Sequence, residues 1–298
     1  MAWNPQKCRE VSERMEWSEL PRWPRRRPET HKGDYGRVLV AGGCAGMTGA
    51  VVLAARGALR GGAGLVYAAV PASCWQVVAA ADPCYLTIRT AEDRAGGWSD
   101  EAVGQLEAHR GAMDVVALGP GMGRGSGVDA VVTRLFDDWE LPLVCDADGL
   151  NALARRGTWH RPAGPRVLTP HPGEFARLAP DLTPDRAGAA ELARRAGATV
   201  VLKGHRTVVT DGRRIYVNAT GNPGMATGGS GDVLTGLIAA CIGQGIAPFD
   251  AALIGVRLHG RAGDLAAQRV GQVSLVATDL LHALPEAISE YQQATGEW

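Results

Sequence analysis

The sequence predicts an α/β fold with a mainly parallel sheet and helices on both of its sides. Three observations predict it. Short β-rich apolar runs alternate with helical stretches from Arg37 onward. Most of those runs are continuously apolar, which suits strands buried on both faces rather than strands with one wet face. Glycine-rich or polar loops follow the runs repeatedly, and in open parallel sheets the carboxyl ends of the strands are where ligands bind.

Taken in order, "RVLVA" (37–41) reads as the first strand. "TGAVVLAARGALR" (48–60) is apolar nearly all round and predicts a buried helix. "GLVYAAV" (64–70) is the next strand, followed by "DVVAL" (114–118), "PLVCD" (142–146), "RVLTP" (166–170) and "TVVLKG" (199–204). Helices expected at 127–138, 147–156 and 185–196 separate most of these, the alternation that builds parallel sheets. "TVVTDG" (207–212) and "RRIYVN" (213–218) alternate in polarity around Asp211-Gly212, a hairpin signal. The apolar positions Val233, Leu234, Leu237, Ile238 and Cys241 form one face of a helix that starts near Ser230. No internal repeat or linker divides the body, so residues 31–298 read as one domain. Residues 1–30 differ: they hold Trp3, Trp17, Trp23 and the run Pro24-Arg25-Arg26-Arg27-Pro28. They read as an N-terminal arm packed on the body, or alternatively as a small basic patch.

The bulk composition excludes several classes. Positive and negative residues balance at 31 each, so net charge does not mark the chain as a nucleic-acid binder. No stretch approaches the roughly 20 apolar residues that span a bilayer, and the N-terminus lacks a signal peptide's apolar core. The six cysteines, Cys8, Cys44, Cys74, Cys84, Cys145 and Cys241, show no CxxC spacing. That argues against a zinc ribbon and for reduced thiols in the cytoplasm. A hydrophobic fraction of 46% is ample for a sizeable core.

The chemistry concentrates in the loops. "GNPGMATGGSGDVLTGLIAA" (221–240) puts Gly229, Ser230 and Gly231 at the mouth of a helix. The first N–H groups of a helix have no internal partner, and glycines let a phosphate approach them closely. Asp232 fits there as a base that takes a proton from a hydroxyl while the amides hold a phosphoryl group; it fits equally as a first-turn acid facing the helix dipole. "GPGMGRGSG" (119–127) has GxGxxG-like spacing, but it lies mid-chain, away from the first βαβ unit a Rossmann fingerprint opens. No GxxxxGK[ST] is present, which counts against a P-loop nucleoside triphosphatase. Lys203 ends a buried strand in "KGHRT" (203–207); it can reach a phosphate or cap the strand in solvent. His171 lies between two prolines in "TPHPGE", which hold its loop rigid; a core or surface histidine is the plain alternative. Asp146, Asp148 and Asn151 in "CDADGLN" form an acidic loop that can hold a hydrated Mg²⁺ or cap the next helix.

Together and in this order, the loops resemble one family: the ADP/ATP-dependent NAD(P)H-hydrate dehydratases, of the ribokinase-like superfamily. The residues that carry the resemblance are "HKGDYGRVLVAGG" (31–43), "MTGAVVLAARGALRGGAGLV" (47–66), "LGPGMG" (118–123), "CDADGLNAL" (145–153), "LTPHPGEFARL" (168–178), "VVLKGHRTVV" (200–209) and "NPGMATGGSGDVLTGLIAA" (222–240). The resemblance implies a three-layer α/β/α ribokinase-like domain. It implies repair of the (S)-hydrate of NADH or NADPH: a nucleotide phosphorylates the C6 hydroxyl, phosphate leaves, and NAD(P)H returns, with ADP yielding AMP. By motif, Asp232 is the implied base and Gly229 to Gly231 the anion hole. The implied hydrate contacts are Ala50, Gly121, Gly123, Asn151, His171 and Asp232. The implied nucleotide contacts are Lys203, Gly204, His205, Arg206, Thr207, Gly229, Ser230 and Gly231. Asp148 is a candidate for Mg²⁺ through water, with no firm ligand set. The 30 residues ahead of the domain are too few for the epimerase domain fused in some relatives, so a separate epimerase is the expected partner. A homo-oligomer, often a tetramer, is also implied. Two rival readings remain: a kinase of the same fold acting on a vitamin precursor, and a nucleotide-binding protein without turnover.

Overall fold

A computed structural model describes residues 16–23 and 25–296. Nine strands form one sheet in the order β3-β2-β1-β4-β5-β6-β7-β8-β9. They are β1 (Arg37–Ala41), β2 (Leu65–Pro71), β3 (Leu86–Thr90), β4 (Val115–Leu118), β5 (Leu143–Cys145), β6 (Arg166–Leu168), β7 (Thr199–Leu202), β8 (Val208–Thr210) and β9 (Ile215–Val217). β1 through β7 pair in parallel, and β7–β8 and β8–β9 pair antiparallel. The expected hairpin across Asp211-Gly212 is therefore present at the far edge, with Gly212 at φ 86°.

The helices are α1 (Thr48–Arg60), α2 (Trp75–Ala81), α3 (Ala102–Glu107), α4 (Ser126–Asp138), α5 (Ala147–Arg156), α6 (Pro172–Leu178), α7 (Arg186–Ala196), α8 (Ser230–Gly243), α9 (Pro248–Val270) and α10 (Ala277–Thr295). They cover both faces of the sheet. One apolar cluster joins α1, α2, α8, α9 and α10 to the sheet, and the other joins α3 through α7 to its opposite face. The central strands β4 and β5 are buried at every position, as their unbroken apolar runs require. On α8 all positions from Val233 through Ile242 are buried, and Gly236 lets it approach α1: a Cβ there would lie 1.8 Å from the Ala54 carbonyl oxygen. No helix among the described residues is long and apolar enough to cross a membrane.

Several elements were not legible in the sequence pattern. β3 is an edge strand whose residues alternate between buried and open positions, so it lacks the continuous apolar signature of its neighbours. α6 occupies what the prolines suggested was only a rigid loop. Proline at the first helical position loses no intrahelical bond there. The arm's described part lies on the body. The Trp17 amide donates to Ile215 O at 2.7 Å, its ring meets Phe249 edge-on at 6.2 Å, and Trp23 is buried. Residues 1–15, with Trp3 and Cys8, lie outside the described residues, as does Pro24.

Candidate active site

The glycine cluster that opens α8 has a steric cause. Gly229 sits at the N-cap with φ 88°, and a Cβ there would lie 2.3 Å from Leu53 Cδ1. Glycine alone takes that conformation in that space. No side chain caps the helix. The amides of Gly231 and Asp232 have no protein acceptor among the described residues, so they remain free for an anion. Buried His259 on α9 holds the same turn from behind, its Nε2 donating to the Ser230 carbonyl at 2.9 Å. Burial keeps this imidazole neutral, with its pKa lowered to about 4.

Asp232 lies in the first turn of α8, directly after these amides. Burial pushes its carboxyl up to about 7; the neighbouring carboxylates of Asp146, Asp148 and Glu174 add to the rise and Lys203 opposes it. A carboxylate with that proton affinity is poised to accept a proton near neutral pH, which an ordinary surface aspartate is not.

Lys203 follows β7 at the carboxyl edge of the sheet. Its Nζ donates to Asp146 Oδ1 at 2.7 Å and lies 3.8 Å from Glu174 Oε2. Burial works against its charge, yet Asp146 and Glu174 outweigh that cost and hold the ammonium above its usual range. A Cβ on Gly231 would sit 3.3 Å from Lys203 Nζ, so the ammonium lies beneath the mouth of α8. The strand-capping alternative for Lys203 is thus corrected: its charge points inward onto carboxylates, because Asp146 at the end of β5 lies two strands away on the same edge. The rest of its loop faces solvent, with Gly204, His205 and Arg206 exposed and Arg206 at φ 60°. The Thr207 hydroxyl closes the loop by donating to Gly204 O at 3.0 Å.

A second group of predicted residues meets along the loop after β4. Gly121 and Gly123 have φ of 63° and 78°. A Cβ on Gly121 would lie 2.9 Å from the Ala50 Cβ and 2.7 Å from Met47 O, which sets Ala50 against this loop. Asp148 Oδ2 accepts from the Gly123 amide at 2.8 Å, and its Oδ1 accepts from Asn151 Nδ2 at 3.3 Å. Asn151 Oδ1 in turn accepts from Arg177 Nε at 3.0 Å. His171 is the N-cap of α6: its Nδ1 accepts from the amides of Gly173 and Glu174 at 3.0 and 3.3 Å, and Glu174 returns a bond to the His171 amide. The His171 ring is otherwise half exposed, and its Nε2 lies 3.5 Å from Glu174 Oε1. Glu174 links this group to the first, through its approach to Lys203.

A hollow of about 500 Å³ lies elsewhere, beside the start of β6 and β7 and Phe249. Its buried Arg166 is consumed by carbonyls of Leu135, Phe136, Trp139, Leu141 and Pro165. It therefore offers structural support rather than chemistry.

The family model described as Carb_kinase, NAD(P)H-hydrate dehydratase, matches residues 38–286. The chain belongs to the NAD(P)H-hydrate dehydratase family. It is 47% identical over 278 residues to the bifunctional NAD(P)H-hydrate repair enzyme Nnr of Moorella thermoacetica, covering 91% of this chain and 52% of that protein. The chain thus spans about half the length of the curated relatives it matches. Among solved structures, an ADP/ATP-dependent NAD(P)H-hydrate dehydratase from Bacillus subtilis, co-crystallised with ATP and Mg²⁺, superposes with a TM-score of 0.74 at 30% identity, over 95% of this chain and 97% of that one. A ribokinase-like superfamily protein from Enterococcus faecalis superposes with a TM-score of 0.78 at 25% identity, over 95% and 94% of the two chains. The ribokinase-like three-layer fold expected from the sequence is therefore the fold observed.

Membership in this dehydratase family makes magnesium a natural question. The side chains present do not fit a dedicated protein cage. Both oxygens of Asp148 already accept N–H groups, and both oxygens of Asp146 accept from Lys203 and from Thr235. Among the described residues no group of three His, Cys, Asp or Glu side chains is placed to hold a metal. Asp148 clamps the 119–123 loop through the Gly123 amide. Sequence reasoning also passed over Glu174, Thr235 and His259. The H-x-x-E spacing of a capping box was available as a signal for Glu174. Thr235 and His259 sit inside helices and carry no local signature.

Proposed function

We propose that this chain restores NAD(P)H from its (S)-hydrate at the expense of a nucleotide. The observation that carries this reading is the pairing of Asp232, lifted to about 7, with the unpartnered amides of Gly231 and Asp232 beside it. In this mechanism the amides and the dipole of α8 hold the terminal phosphoryl group of ADP or ATP. Asp232 takes the proton of the C6 hydroxyl as that oxygen attacks phosphorus, and the nucleotide leaves one phosphate shorter. The C6–O bond then breaks to release phosphate, a proton is lost from C5, and the ring double bond of NAD(P)H returns. Positioning and charge stabilisation are what phosphoryl transfer asks of a protein. The hydrate lies along Ala50, Gly121, Gly123, Asn151 and His171. The nucleotide lies along Lys203 to Thr207 and Gly229 to Gly231, with the Lys203 contribution coming from its backbone, since its ammonium is paired inward. Mg²⁺ enters with the nucleotide phosphates, the usual habit of this ion. A homotetramer and cooperation with a hydrate epimerase activity belong to the same reading.

The test is direct. The protein is mixed with NADH hydrate, Mg²⁺ and either ADP or ATP, and the dihydronicotinamide absorbance is followed together with nucleotide consumption. Recovery of absorbance with one phosphate released per NADH supports the dehydratase. A stable phosphorylated alcohol without recovery points instead to a small-molecule kinase, and intact nucleotide points to a binding protein.

A further inference from the structure

Asp146 stands in an unusual local setting. It occupies the N-cap of α5 with extended backbone angles, φ −135° and ψ 165°. An aspartate there ordinarily accepts a bond from one of the first helical amides, worth about 1 kcal/mol. Asp146 makes no such bond. The next residue, Ala147, is held at φ 48°, a left-handed conformation that a residue with a Cβ adopts at a cost of about 1 kcal/mol. Gly119 packs so closely that a Cβ there would lie 1.9 Å from the Asp146 carbonyl oxygen. Two local preferences are thus overridden at two adjacent residues, Asp146 and Ala147.

What this achieves is the aim of a single carboxylate. Both of its oxygens turn across the carboxyl edge of the sheet. Oδ1 accepts from Lys203 Nζ on β7's exit at 2.7 Å, and Oδ2 accepts from Thr235 Oγ1 on α8 at 2.7 Å. Thr235 is fully buried and lies three residues after Asp232, so the two side chains share one face of α8. Asp146 therefore ties together β5, β7 and the face of α8 that carries the proposed base. Apolar packing leaves a helix some freedom to slide and rotate; a buried hydrogen bond of fixed direction removes it. Stability alone gives little reason for this arrangement, because a buried ion pair is commonly no better than apolar side chains of the same size.

We propose that Asp146 is a positioning residue which, through Thr235 and Lys203, sets the placement of Asp232 for proton transfer. This rests on the reading of Asp232 as the base. The charged groups facing Asp232 are Asp146, Asp148, Lys203 and Glu174, and His259 backs the same turn as a neutral group. Thr235 is the cleanest handle, since replacing it alters no charge among them.

The experiment compares Thr235→Val, Thr235→Ser and the wild type in the hydrate assay, with crystal structures of each. The lock predicts that Thr235→Val lowers kcat by about tenfold or more, as a small misplacement of a reacting group does. It predicts KM values for hydrate and nucleotide within about twofold of wild type, the signature of an effect confined to the transition state. Thr235→Ser, which keeps the hydroxyl, restores kcat to within about threefold. The crystal structure of Thr235→Val shows the Asp232 carboxylate displaced. A Thr235→Val protein with wild-type kcat, or one whose loss serine does not repair, overturns the proposal. If the wild type itself turns over no hydrate, the functional reading fails on its own, and the structures still decide the lock: an unmoved Asp232 in Thr235→Val overturns it.

Discussion

Replacing Asp232 by asparagine should stabilise the protein while disabling it. In the folded chain burial lifts this carboxyl from an ordinary 3.8 to about 7. The folded chain therefore binds the proton more tightly than the unfolded chain does. Raising the pH through the window from about 4 to 7 removes stability from the wild type, because the unfolded chain ionises freely and the folded one does not. A shift of that size corresponds to roughly 4 kcal/mol once the window has been crossed. Asparagine keeps the shape and has no proton to lose, so it escapes this cost. Urea unfolding of both proteins at pH 5 and pH 8 measures it: the advantage of Asp232→Asn should widen by about 3 kcal/mol between the two. In the same variant, turnover should fall at least about 10²-fold with nucleotide affinity kept. The wild-type kcat/KM should rise with pH through about 7 as the base ionises. A stability gap that does not change with pH would refute the half-buried, proton-holding Asp232 on which the mechanism depends.

Other sites carry distinct expectations. Lys203→Met leaves Asp146 buried without its cation and should cost about 3–5 kcal/mol in urea unfolding. Gly231→Ala meets the ammonium of Lys203 at 3.3 Å and Asp146 Oδ2 at 3.8 Å, and should fold normally. Its methyl stands where a phosphoryl group must approach, so calorimetric nucleotide affinity should drop by about tenfold or more. Asp148→Ala frees the Gly123 amide and loosens the 119–123 loop. Steady-state kinetics should show KM for the hydrate raised about tenfold, with nucleotide Kd unchanged.

The sequence made the parallel core readable because its strands are unbroken apolar runs buried on both faces. β4, "VVAL", is the plainest case. β3, "LTIRT", escaped because an edge strand keeps half its surface wet and so looks like a loop. At the site, glycine and aspartate at the mouth of α8 were legible because helix ends have fixed chemical needs. The partners of those residues were not. Lys203 looks like a strand terminus until β5 and β7 are placed on either side of β6, which brings Asp146 to its ammonium. Thr235 looks like any helical threonine until α8 is docked on the sheet. His171 reads as held by its prolines, and the structure adds a reciprocal cap with Glu174, with Pro172 at the first helical position.

The most direct test of the account is a crystal structure with a non-transferable ADP or ATP analogue and the hydrate bound together. The terminal phosphate should sit on the amides of Gly231 and Asp232, with the C6 hydroxyl between phosphorus and the Asp232 carboxylate. A terminal phosphate seated away from the start of α8, or a hydroxyl out of reach of Asp232, would contradict it.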